Sequence, residues 1–187
     1  MAPKHEQRIQ VIEQLSAHLL ATGLAQTSLR QLAAAAGVSD RMLLYYFEDK
    51  TEVLSAALGK IAADLTQMLE VSIPEGQKLS PQDLIKATAA LTLDPATQPF
   101  FRLWTQAVAA AARDEAPYKD IANAIAEGFL TWIETRLSGG DTRSRRATAA
   151  MILAMIDGLA LLEICTDDKR ASLAANQMTK LIHPRRG

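Results

Sequence analysis

The sequence predicts an all-α protein of about nine helices and no sheet. Hydrophobic residues make up 49% of the 187, yet aromatics only 5%. The apolar content is therefore carried largely by Ala and Leu, which lose little conformational freedom on entering a helix. Apolar residues recur at three- and four-residue spacing along most of the chain, and no run alternates as a half-buried strand does.

The elements follow in order. Ile12, Leu15 and Leu19, broadened by Val11 and Leu20, make the stripe of a helix from about Lys4 to Thr22, which Gly23 ends. Thr27 is the expected N-cap of the next helix, with Leu29, Leu32 and Ala33 inward. Gly37 breaks it and Ser39 caps a third, whose Met42, Leu43 and Phe47 offer apolar contacts. A long helix starts at Asp49 or its neighbour and runs to about Leu69, with Val53, Leu54, Ala57, Leu58, Ile61 and Leu65 on one side. Pro74, Gly76 and Pro81 mark a loop. Helices are then expected over about 81–93, 99–113 and 117–137, the last with Ile121, Ile125, Phe129 and Trp132/Ile133 inward. After the Gly139-Gly140 turn, a helix from Thr142 to about Thr166 has two apolar stripes, so burial on both sides is expected. The last helix runs from about Asp168 to Ile182.

Composition excludes several chemistries. The formal net charge is −1, so any nucleic-acid binding must rest on a local surface. Cys165 is the only cysteine and the histidines are His5, His18 and His183. Their spacing forms neither a disulfide nor a zinc or di-iron motif, so no cofactor and no metal are expected. The N-terminus lacks a signal-peptide pattern, and no run of about 18 apolar residues escapes polar interruption. A cytoplasmic protein is the expectation.

The segment 27–50 carries the most specific signal. Two short capped helices joined at a glycine, with small residues at 33–36 where they touch, form a helix-turn-helix. The second helix exposes Asp40, Arg41, Met42, Leu44 and Tyr45. Arg41 suits a bidentate pair with guanine, and Asp40 a cytosine amine or Arg41 itself. Tyr45 and Tyr46 are expected to donate to phosphates. Lys50, beside free backbone N–H groups at a helix start, is a phosphate clamp. Over residues 1–50, Lys4, Arg8, Arg30, Arg41 and Lys50 are balanced by Glu6, Glu13, Asp40, Glu48 and Asp49. Non-specific affinity is then modest, and two linked half-sites must supply much of the strength.

Gly23, Thr27, Leu32-Ala33, Ala36-Gly37-Val38-Ser39, Tyr46-Phe47 and Lys50 resemble the N-terminal signature of the TetR family of bacterial transcriptional regulators, over roughly residues 8–58. The resemblance implies a homodimer, with a DNA-binding domain at 1–50 and a ligand-binding and dimerisation domain at 51–187. It implies that Ser39 caps the recognition helix, that Tyr46 and Lys50 contact phosphates, that Thr27 approaches the DNA backbone, and that Phe47 packs inward. The sequence departs from the family at Arg41, often glycine, at Met42, often a phosphate-binding threonine, and at Leu44, often tyrosine.

The rest of the chain is less specific. Helices near 117–137 and 142–166 are the expected dimer interface, where Ala147, Ala150, Ala154 and Gly158 permit close approach. Met68, Phe100, Phe101, Trp104, Met151 and Met155 are candidates for an apolar effector pocket, though each also suits plain core. The reading is a repressor released from a palindromic operator by a small molecule. Its rivals are control by a protein partner, and a helical enzyme that would need a nucleophile–base pair the chain does not offer.

Overall fold

The computed structural model describes residues 4–166 and 169–181. Among these, nine α-helices occur in the expected order: α1 Lys4–Thr22, α2 Leu29–Ala35, α3 Asp40–Tyr46, α4 Lys50–Ser72, α5 Pro81–Thr92, α6 Gln98–Ala112, α7 Tyr118–Arg136, α8 Thr142–Cys165 and α9 Arg170–Leu181. Short 3-10 turns lie at Gly23–Gln26 and Pro95–Thr97. The ends expected for the last helix, Asp168 and Ile182, lie outside the described residues.

The chain forms two compact units. The first takes residues up to Asp64 together with Arg102–Ile125. The second takes Leu65–Phe101 together with residues from Ala126 onward. Helices α4, α6 and α7 contribute residues to both.

In the first unit α1 packs on α2, and α2 on α3. Leu15, Leu19, Leu32, Leu43, Phe47, Val53 and Leu54 form its buried centre. Each occupies the inward side expected from helical spacing. Met42 does not join them: it is 40% exposed.

One cap falls a residue later than expected. Ser28, not Thr27, caps α2: its Oγ accepts from Gln31 N at 3.3 Å, and Gln31 Oε1 accepts from Ser28 N at 3.1 Å. This reciprocal pair satisfies two donors that a helix start leaves open. Thr27 is buried, and its Oγ1 donates to Leu24 O at 3.2 Å.

In the second unit α5 packs on α8 and α9, which also meet each other. Leu84, Ile85, Ile152 and Leu159 fill the contact. Arg136 at the end of α7 is buried against Trp132, its guanidinium carbon 4.7 Å from the ring centroid, and Nη2 reaches Glu70 Oε1 at 3.1 Å. The loop at 79 meets the end of α7 through Leu79 N to Arg136 O and Ser138 N to Leu79 O, both 2.8 Å. That is an isolated bridge, not a strand.

Helix α8 corrects one expectation. Within the single chain only one of its two apolar stripes is buried: Ala149, Ile152, Ile156, Leu159 and Ala160. Ala147, Ala150, Met151, Ala154, Leu161 and Ile164 on the other face are exposed. By length and by mean hydropathy of 1.9 the helix meets the measure of a membrane span, although Asp157 and Glu163 interrupt it. Its asymmetry is that of a helix with one face in a core and one face open.

Replacing Ser28 by alanine should lower stability by about 1 kcal/mol in urea denaturation, whereas Ser28→Gly should cost only a few tenths. Equal stability of wild type and Ser28→Ala would show that the cap carries no weight.

Candidate nucleic-acid interface

The turn between α2 and α3 is closed by backbone geometry. Gly37 has φ +65°, a conformation that L side chains rarely adopt. Gly37 N donates to Ala34 O at 3.1 Å and Val38 N to Ala33 O at 3.0 Å. These are the two crossed bonds that end a helix on a left-handed residue. Space is not the constraint there, since a Cβ on Gly37 would meet nothing nearer than Gln14 Oε1 at 4.0 Å.

Ser39 then starts α3, its Oγ accepting from Met42 N at 3.2 Å. Leu43, Tyr46 and Phe47 turn inward and are buried. Asp40, Arg41, Met42, Leu44 and Tyr45 remain exposed, Tyr45 at 57%. Among the described residues Asp40 and Arg41 form no ion pair, so Arg41 is not neutralised by its neighbour. Asp49 Oδ1 accepts from Glu52 N at 2.8 Å, and Lys50 opens α4 at the surface.

Helix α1 holds the far end of α3. Tyr46 Oη donates to Gln7 Oε1 at 2.7 Å. Arg8 Nε donates to Tyr46 O at 3.3 Å, and Nη2 pairs with Glu52 Oε1 at 2.8 Å. The Arg8 guanidinium also lies 4.7 Å from the Phe47 ring centroid. Glu52 Oε2 accepts from Glu48 N at 2.6 Å. That backbone N–H, with help from Arg8, holds the Glu52 carboxyl below its ordinary value of 4.5.

Two residues expected to meet phosphates lie inward in this chain. Tyr46 is buried and its hydroxyl proton is committed to Gln7, so it acts as a strut inside the unit. Thr27 is likewise turned inward. Arg41, Met42, Tyr45 and Lys50 stay at the surface, and Ser39 serves as the cap. Lys4, Gln7 and Arg8 were not singled out from sequence. Lys4 Nζ sits 4.3 Å from the Tyr45 ring centroid, adding a cation beside the exposed face of α3. The readable signal was their spacing at i, i+3 and i+4 on α1.

The six pocket candidates do not behave alike. Phe100 and Phe101 are buried, with ring centroids 5.2 Å apart, and Phe129 stands 6.1 Å from Phe100. Met68 and Met151 are exposed, Met155 is half-buried, and Trp104 belongs to the first unit. Two open clefts in the second unit, about 540 and 660 Å³, are lined instead by polar residues such as Lys78, Glu134 and Arg145, and Gln82, Asp83 and Lys180. Among the described residues no cluster of His, Cys, Asp and Glu suits a metal ion.

Tyr46→Phe should cost about 0.5–1.5 kcal/mol of stability through the lost hydrogen bond and leave the salt dependence of DNA binding unchanged. Tyr45→Phe should do the reverse, and a salt slope altered by Tyr46→Phe would contradict the strut. Glu52 is held below 4.5 in the folded chain. Its contribution is therefore complete above that pH and is lost as pH falls through the lower folded value. Glu52→Gln should flatten the acid limb of the stability profile, and an unchanged limb would rule this contribution out.

Residues 16–57 match the family model described as bacterial regulatory proteins, tetR family. None of the curated proteins compared with the chain matches it. Solved structures share its fold at low identity. A transcriptional regulator from Rhodococcus sp. Rha1 is 23% identical, with TM-score 0.72 over 94% of this chain and 95% of that one. A TetR-family transcriptional regulator from Cytophaga hutchinsonii is 17% identical, with TM-score 0.74 over 97% and 95%. The multidrug binding protein EbrR, complexed with proflavin, is 22% identical, with TM-score 0.65 over 94% and 99%. The capped turn and the exposed face of α3 thus fall in the segment that matches the tetR-family model, and the whole chain shares the fold of these solved regulators.

Proposed function

We propose that the protein is a repressor that binds a near-palindromic operator as a homodimer and is released by a small molecule. The observation that carries the DNA side is the division of α3, with Leu43, Tyr46 and Phe47 inward and Arg41, Met42, Leu44 and Tyr45 outward. In this reading Arg41 reads a base edge, while Tyr45, Lys50 and the added cation of Lys4 hold phosphates. Residues 1–50 do the reading and 51–187 the dimerisation and effector binding.

The open stripe of α8 supports the dimer. Ala147, Ala150, Met151, Ala154, Leu161 and Ile164 make a continuous apolar face on a single chain, and small residues allow a second helix to approach closely. The interface pairs α7 and α8 of each copy as a four-helix arrangement. A two-fold dimer presents two reading helices about 34–36 Å apart, one turn of duplex. We assign the effector to the aromatic cluster of Phe100, Phe101 and Phe129, and the effector class to apolar molecules. A coupling of about 1–3 kcal/mol between effector and DNA is enough for release. DNA binding makes the cytoplasm its place of work.

Selection from random duplexes tests the reading. Wild type should recover a palindrome, and Arg41→Ala should lose about 1–3 kcal/mol and relax one base pair in each half. Recovery of an unchanged motif by Arg41→Ala would remove Arg41 from base reading. Ala154→Glu, at an exposed position, should yield a folded monomer by sedimentation, and a persistent dimer would exclude the α8 face.

A further inference from the structure

Gly23 stands where α1 gives way to the 3-10 turn that leads into α2. Its φ is +68°, and it is buried. A Cβ built there would lie 2.5 Å from Gln106 Oε1 and 2.7 Å from Gln106 Nε2. No real Cβ tolerates that approach, so the Gln106 amide occupies the space a side chain would take. The neighbouring backbone N–H, Leu24 N, donates to Gln106 Oε1 at 2.8 Å. That donor is one of those a helical turn leaves open at its start. A side chain 82 residues away in sequence closes it. Gly37 offers the contrast: it also has a positive φ, but nothing presses on it. Gly23 thus answers two demands, a backbone conformation and a contact.

Gln106 lies on α6, in the part of that helix that belongs to the same compact unit as α1–α3. The first four residues of α6, Gln98–Phe101, belong to the other unit and include two of the three rings assigned to the effector.

We propose that Gln106 is a positioning residue: its carboxamide latches the Gly23–Leu24 backbone and so fixes where α2 and α3 stand against α6. The inference rests on the reading of the chain as a dimeric operator binder. Gln106 touches no DNA. It sets the placement of each reading helix, and hence the half-site spacing that a dimer accepts.

Binding to a series of duplexes whose two half-sites are separated by different numbers of base pairs tests the latch. Wild type should prefer one spacing sharply. Gln106→Ala removes an exposed side chain from a helix surface and introduces the best helix former. It should flatten the preference at least threefold and leave affinity for a single half-site unchanged. Gln106→Glu keeps an acceptor for Leu24 N and should restore the preference. Three results would overturn the latch: an equally sharp preference in Gln106→Ala, a Gln106→Ala loss confined to single half-site affinity or melting temperature, or no recovery in Gln106→Glu. A wild type with no preferred spacing would instead bring down the reading of a dimeric operator binder, and the latch with it.

Discussion

The seating of α3 is the constraint on which everything else in the interface depends. Seven residues are too few to hold a helix by propensity alone, since nucleation is costly. The chain therefore fixes α3 from both ends. Ser39 and the crossed bonds at Gly37 set its start, and Gln7 and Arg8 hold its end through Tyr46 and Phe47. Leu43 fills the space between. With the inner face pinned in this way, the helical period forces Arg41, Leu44 and Tyr45 to face outward. The reading surface follows from how the opposite face is buried.

Electrostatics shape how such a surface is used. The cations within the first fifty residues are matched by acids, and the structure assigns Arg8 to a partner, Glu52. Lys4, Arg30, Arg41 and Lys50 remain at the surface. Four cations, matched by acids over the same residues, give little of the sequence-independent attraction that carries a lone module to DNA. In the proposed dimer, formed over the open apolar face of α8, a second copy would double these contacts. The same two features explain why a helix can meet the measure of a membrane span in this chain. Its hydropathy comes from apolar residues on both its buried and its open face.

Most of the fold was legible because strong periodicity marks long helices. The buried stripe of α4 from Val53 to Leu65 lies where spacing put it. What escaped were choices between neighbours and contacts between distant residues. Thr27 and Ser28 are adjacent hydroxyls, and the capping glutamine three residues after Ser28 was the deciding signal. Tyr45 and Tyr46 are adjacent phenols, and only Tyr46 falls three residues after the core residue Leu43. The Gln106 contact had no local trace except a glycine at 23, which also reads as an ordinary helix end. The effector candidates were the least legible, because a buried Phe looks the same in a core and in a pocket.

In the proposed reading one face of α3 meets DNA while the other belongs to the core. Mapping of backbone amide chemical shifts on adding a selected operator duplex tests it most directly. The strongest changes should fall at Arg41, Met42, Leu44, Tyr45 and Lys50, with Lys4 joining them. Changes concentrated elsewhere, with α3 silent, would contradict it.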